Sequence, residues 1–244
     1  EKGDKVGIDG WVNSHQEAQS ISNELKSTGL ALETMTEDIF DSIWLDRPSL
    51  PTTPVFILGE TYTGASCTEK LNRIQEAIIK NGASAIILSA LDEIAWSLNL
   101  RGNDVHCNPV FISYLLISKE GFTLYILEEK ITDEVRNYLS THQVNIKTYQ
   151  ALAEDLRTFA SEHQGVLQIS PLANEALYDL STRYTDTIVA PSPVALMKAV
   201  KNETEQNGFR QAMERDGVAL VKFLRWLEEA VPAGNESELS IDKK

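Results

Sequence analysis

The sequence predicts an α/β fold, and three observations predict it. Short apolar runs of strand length alternate with amphipathic stretches almost throughout the 244 residues. The amphipathic stretches carry helix punctuation: a capping residue three positions before a carboxylate, and glycine or proline beyond the last apolar position. A composition of 42% hydrophobic and 24% charged residues is that of a chain that buries cores.

The elements follow in order. Val6-Gly7-Ile8 is a short strand. Ser14 and Glu17 have capping-box spacing, Ile21 and Leu25 mark the apolar face of the helix they open, and Gly29 ends it. Ala31 to Met35 is the next strand. A helix is expected from Glu37 to about Trp44, with Ile39, Phe40 and Ile43 on one face. The stretch Arg47 to Pro54 holds three prolines in eight residues and cannot be helix interior.

Beyond it the layered rhythm resumes. Ser66 to Lys80 is a helix with Leu71, Ile74 and Ile78 at a 3.6-residue period, stopped by Asn81-Gly82. Ala85 to Ser89 is a buried strand and Leu91 to Leu98 a short helix. Val110 to Ser118 and Phe122 to Leu127 flank Lys119-Glu120-Gly121 as a hairpin. Asp133 to Leu139 is helical, Val144 to Tyr149 a strand, and Ala151 to Ser161 a helix. Val166 to Ile169, a helix from about Leu172, and Ile188-Val189 follow, before a second break at Pro191-Ser192-Pro193.

From Asn202 the character changes. Asn202 and Glu205 repeat the capping-box spacing, and Phe209, Met213, Leu220, Leu224 and Leu227 keep one apolar face until Val231-Pro232-Ala233-Gly234 stops the helix. Residues 195–244 carry 8 basic and 9 acidic side chains, against 14 and 27 in residues 1–194. These shifts divide the chain at 1–50, 51–193 and 194–244.

A net charge of −14 argues against nucleic-acid backbones and anionic membranes as partners, because like charges repel. The apolar stretch from Pro109 to Ile117 is half of a membrane span. Cys67 and Cys107 fit no zinc spacing or disulfide framework and read as reduced thiols, so the expected compartment is the cytoplasm. No charged-then-apolar leader opens the chain, and its abrupt ends lead us to expect a piece of something longer.

Reactive constellations are few. His15, His106, His142 and His163 lie far apart, with no spacing that sets two imidazoles on one helix face. Gly64-Ala65-Ser66-Cys67 lacks the second glycine of a nucleophile elbow, and Ser66 reads as a helix cap. Asp92-Glu93 sit where the helix dipole favours negative charge. No catalytic residue and no metal ligand can be named.

Ala90 to Asp104, reading ALDEIAWSLNLRGND, and Asn108-Pro109-Val110-Phe111 resemble the middle domain of the long, three-domain Xaa-Pro aminopeptidases (aminopeptidase P, peptidase family M24). Ile43 to Pro48 resembles that family's link between its first two domains, and Tyr62-Thr63-Gly64 the entry to the middle domain's first helix. Lys198 to Asn202 with Arg215 to Leu220 resembles the start of its catalytic domain. The five segments are collinear and span essentially the whole chain.

The resemblance implies creatinase/prolidase N-terminal-type domains with a mixed sheet flanked by helices. Residues 1–50 would end the first, 51–193 would form the middle one, and 194–244 would open a truncated pita-bread domain. It implies removal of the N-terminal residue from peptides with proline second, by a hydroxide bridging two metals, typically manganese. The family's ligands (two Asp, one His, two Glu) would all lie beyond Lys244, so this chain would hold no metal and be inert alone. Its relatives form dimers, so a homodimer is expected. Within the chain, the turn carrying Asn99 and Arg101, with Trp96 on the preceding helix, is the candidate substrate-facing or interface element, since an arginine can grip a carboxylate bidentately. The competing reading makes Gly102 a left-handed helix stop, Arg101 a cover for the last carbonyls, and Trp96 core. The alternative for the whole chain is a non-catalytic protein-binding or dimerisation module of the same fold.

Overall fold

The computed structural model describes residues 3–35, 37–38, 40, 43–162 and 165–243, the side chains of 160–162 excepted. The chain forms two compact units, Glu1–Glu60 with Ala65–Val200, and Thr61–Gly64 with Lys201–Lys244.

The first unit opens with β1 (Lys5–Asp9), α1 (His15–Thr28) and β2 (Ala31–Met35), the two strands pairing in parallel. Ser14 and Glu17 form the anticipated capping box, and Gly29 ends α1 at φ 78°. The helix anticipated over 37–44 is not found in the described residues, where Glu37, Asp38, Phe40, Ile43 and Trp44 lie in bends, turns and irregular chain. Asp38 Oδ1 accepts the Phe40 N–H at 2.9 Å and its carboxylate also pairs with Arg47, while the Trp44 N–H bonds to Phe40 O at 2.8 Å, the spacing of a single helical turn. Residues 39, 41 and 42 of that stretch lie outside the described residues.

There follow β3 (Phe56–Ile57), α2 (Glu60–Thr63, of which all but Glu60 belongs to the second unit), α3 (Cys67–Lys80), β4 (Ala85–Leu88), α4 (Leu91–Leu98), β5 (Leu100–Arg101), β6 (Ser113–Ser118) and β7 (Phe122–Ile126). Then come α5 (Asp133–Thr141), β8 (Val144–Thr148), α6 (Leu152–Glu162), β9 (Val166–Ile169), α7 (Glu175–Tyr184), β10 (Asp186–Val189) and α8 (Pro193–Ala199). Six strands make one mixed sheet in the order β10-β9-β4-β6-β7-β8, with β6 antiparallel to both its neighbours β4 and β7 and the other pairings parallel.

The sheet is covered on both faces, which is why β4 reads as an unbroken apolar run. Ile86 and Leu88 point to one face, where α3, α4 and α5 bring Leu71, Ile74, Ile94, Leu98, Val135 and Leu139. Ala85 and Ile87 point to the other, onto Leu156 and Phe159 of α6 and Leu177 of α7. Two starts lie three residues later than the sequence reading. β6 begins at Ser113 because the Ile112 N–H is diverted to Asp104 Oδ2 at 2.7 Å. α7 begins at Glu175 because Asn174 caps it, accepting the Leu177 N–H at 2.9 Å.

The segments β1–α1 and β9–α7 meet almost symmetrically. Their cap residues Ser14 and Asn174 form an antiparallel bridge. The His15 N–H donates to Ala173 O and the Glu175 N–H to Asn13 O, both at 2.9 Å. The His15 ring, 4% exposed, meets Glu175 Oε2 through Nδ1 at 2.7 Å and stacks on Tyr178 at a centroid distance of 3.6 Å.

In the second unit, α9 (Glu203–Ala233) is a 31-residue helix opened by the Asn202–Glu205 capping box, and a short helix α10 (Glu238–Asp242) follows. Asn202 Nδ2 donates to Thr63 O at 2.8 Å, and Gly234 at φ 72° ends α9. Phe209, Met213, Leu220 and Leu224 on α9 are exposed. No helix among the described residues is long and apolar enough to cross a membrane.

Candidate functional site

The turn singled out in the sequence sits where α4 hands the chain to β5. The eight residues of α4 end at Asn99, which adopts the left-handed conformation (φ 52°, ψ 32°). Asn99, not Gly102, is therefore the helix stop. Asparagine bears this conformation better than most residues because its short amide can bond locally. Gly102 is required for a different reason: a Cβ there would lie 2.7 Å from Phe111 Cβ.

Past Asn99 the chain reverses into β5, where Leu100 faces Ile57 and Arg101 faces Phe56 of β3. The Leu58 N–H bonds to Asn99 O at 2.8 Å. The Asn99 side chain, 1% exposed, points inward, its Nδ2 donating to Ala65 O at 2.9 Å and its Oδ1 accepting from Lys70 Nζ at 2.6 Å.

Lys70 is the residue that sequence reasoning missed. It is 1% exposed, its Nζ also donates to Trp96 O at 3.1 Å, and it lies 4.3 Å from the Trp96 ring centroid. The signal was available: Cys67, Lys70 and Ile74 fall on the same buried stripe of α3, so a lysine stands at a core position.

The carbonyl end of α4 is thus closed by side chains from three other elements. Lys70 of α3 serves Trp96 O, Tyr138 of α5 serves Leu98 O at 3.1 Å, and Arg101 of β5 serves Ala95 O at 2.8 Å. Arg101 Nη1 bonds Leu100 O as well, at 2.8 Å. Two of the three are cations at the negative end of the helix dipole. Trp96 is buried within the core cluster beneath the sheet. The Cys67 thiol beside this group is pushed up to about 12 by burial, against the pull of the Lys70 charge and a hydrogen bond with Tyr138. Burial likewise raises the Tyr138 hydroxyl.

Asp92 and Glu93 part ways at the other end of α4. Asp92 pairs with Lys198 of α8, whereas Glu93 is buried and its carboxyl is raised above the usual range by loss of solvent. Ser66 caps α3, accepting the Glu69 N–H at 3.2 Å while its hydroxyl donates to Glu69 Oε2 at 2.9 Å. Of the histidines, His15 lies at the α1–α7 joint, the His142 ring meets Thr68 at 2.8 Å, and His163 lies outside the described residues. Among the described residues, no group of three or more His, Cys, Asp or Glu side chains is placed to hold a metal ion. These scattered donors do not fit a two-metal centre.

Residues 46–205 match the creatinase/prolidase N-terminal domain family. A protein named probable Xaa-Pro aminopeptidase P from Sordaria macrospora is 38% identical over 239 residues, covering 93% of this chain and 39% of its own. Xaa-Pro aminopeptidase 1 of Dictyostelium discoideum is 36% identical over 239 residues, covering 94% of this chain and 38% of its own. The crystal structure of X-prolyl aminopeptidase from Caenorhabditis elegans, described as a cytosolic enzyme with a di-nuclear active site, superposes with a TM-score of 0.89 at 27% identity, over 99% of this chain and 40% of that one. The chain spans about two fifths of the length of these relatives. It belongs to the creatinase/prolidase N-terminal domain family, with relatives along nearly its whole length that bear the name Xaa-Pro aminopeptidase.

Proposed function

We propose that this chain is part of a metal-dependent Xaa-Pro aminopeptidase that removes the N-terminal residue from peptides with proline at the second position. The observation that carries the reading is likeness over nearly the whole chain to relatives of that name, through both proline-rich breaks and into α9. In this reading residues 1–50 end a first creatinase-like domain, 51–193 form the middle one, and 194–244 open the catalytic domain.

The two divalent ions, manganese by preference, would be held by residues outside this chain. The chain itself would be inert alone, with a structural, dimerisation or substrate-access role in a cytoplasmic homodimer. Its contribution to substrate access would be the α4–β5 turn, where Arg101 offers a planar donor array to a carboxylate of a peptide or of a partner subunit. The carbonyl bonds of Arg101 to Ala95 and Leu100 support this, because they fix the guanidinium before any ligand arrives.

The test is to assay the longer polypeptide on matched peptides with proline or alanine second. Release of the first residue from the proline peptide alone supports the reading. Loss of that preference would refute it, and binding of a protein partner without turnover would favour the non-catalytic module.

A further inference from the structure

A lysine sealed beneath a turn is an unusual means of support. Burying an ammonium is unfavourable unless its donors are met. Lys70 meets the Asn99 amide oxygen, the Trp96 carbonyl and the Trp96 ring face. Asn99 in turn holds a left-handed conformation that disfavours any residue with a Cβ. Each strained or desolvated group is therefore compensated by the other.

The consequence falls on Arg101, two residues on. Were Asn99 to relax into right-handed helix, α4 would gain a residue and the outgoing chain would swing by about 100°. Leu100 would leave Ile57, Arg101 would leave Phe56, and the Arg101 guanidinium would lose its seat on Ala95 O.

We propose that Lys70 is a positioning residue: its buried ammonium locks Asn99 in the left-handed conformation and so sets the direction in which Arg101 presents its guanidinium. The effect on turnover rests on the reading above, that Arg101 faces a peptide or partner carboxylate. The effect on the turn does not.

The experiment separates the two. Lys70→Met, Lys70→Arg and the double variant Lys70→Met/Asn99→Gly are made in the 244-residue chain and in the longer polypeptide, together with Arg101→Ala in the latter. In the chain, the strong intraresidue amide-to-Hα contact of a left-handed residue is read at Asn99 by NMR. Lys70→Met should lose it. Glycine adopts that conformation without a Cβ penalty, so the double variant should recover the turn even though no ammonium is present.

In the longer polypeptide, Lys70→Met should lower kcat/KM for a proline-second peptide by about tenfold or more, as a misplaced binding group does, and adding Asn99→Gly should restore most of it. Lys70→Arg, longer and planar, should not rescue. If Lys70→Met does not fold, recovery of folding by Asn99→Gly supports the proposal and its failure overturns it. An unchanged left-handed signature at Asn99 in Lys70→Met overturns it outright. A turn that moves while Arg101→Ala leaves kcat/KM untouched upholds the role of Lys70 and refutes the substrate-facing role of Arg101.

Discussion

Asp104 Oδ1 and Lys130 Nζ meet at 2.5 Å with both side chains wholly shielded from solvent. The pair ties three pieces of chain together. Asp104 Oδ2 accepts the Ile112 N–H at 2.7 Å, Lys130 donates to Thr53 O at 3.3 Å, and the Val55 N–H returns to Lys130 O at 3.0 Å. The proline-rich link, the loop between β5 and β6 and the turn after β7 thus share one buried charge pair.

Removing one partner strands the other. Asp104→Asn should destabilise the chain by about 3–5 kcal/mol, the usual cost of an uncompensated buried charge. Adding Lys130→Met should recover much of that loss, since the asparagine oxygen can still accept from Ile112 and no ammonium remains. Urea unfolding of the two single variants and the double variant measures the coupling directly.

Glu93 carries a pH dependence of definite sign. Burial raises its carboxyl from the ordinary value of 4.5; Ser192 opposes, Asp92 adds, and Lys198 opposes. An acid raised in the folded state stabilises fully below its unfolded value and loses that contribution as pH rises through its folded value. Glu93→Gln has no charge to desolvate. The variant should therefore gain stability relative to the parent chain as pH rises from about 4 towards 7, read from urea midpoints at the two ends. A constant difference across that range would contradict the assignment.

At Gly102 the constraint is space, since a Cβ would stand 2.7 Å from Phe111 Cβ and 3.1 Å from Val110 O. Gly102→Ala should cost about 1–3 kcal/mol, as overpacking does. Gly82→Ala is the informative contrast: at φ 84° with open space around it, its cost is conformational and leaves Phe111 undisturbed. Thermal unfolding with the Phe111 ring signals followed by NMR distinguishes the two.

The two cysteines should behave oppositely. Cys67 is fully buried with its thiol pushed up to about 12, while Cys107 is exposed at φ 59° in the β5–β6 loop. A thiol reagent near pH 8 should label one cysteine per native chain, at Cys107, and two after unfolding. Mass spectrometry of the labelled peptides gives the answer.

What the sequence disclosed was local. The capping boxes at Ser14, Ser66 and Asn202 are i to i+3 relationships, and each is found in place. The strands Ala31–Met35 and Val166–Ile169 and the helix Leu91–Leu98 have the anticipated bounds, because apolar runs between breakers leave few choices. The misreadings arose where a distant or competing group intervenes. Asp104 draws Ile112 out of β6, and Lys70 supports a stop at Asn99 that the sequence placed at Gly102. The sheet order, the reciprocal bonds between the loops before α1 and α7, and the pairing of Asp104 with Lys130 join residues that no spacing rule connects. At the α4–β5 turn the right residues were named, but the buried cation that organises them shows in the sequence only as a lysine on an apolar stripe.

The most direct measurement is release of arginine from Arg-Pro-Pro by the 244-residue chain alone, with and without added manganese, beside the longer polypeptide. We predict turnover by the longer polypeptide and none above background by the chain at any manganese concentration. Steady, manganese-dependent release by the chain alone would contradict the division of labour proposed for these residues.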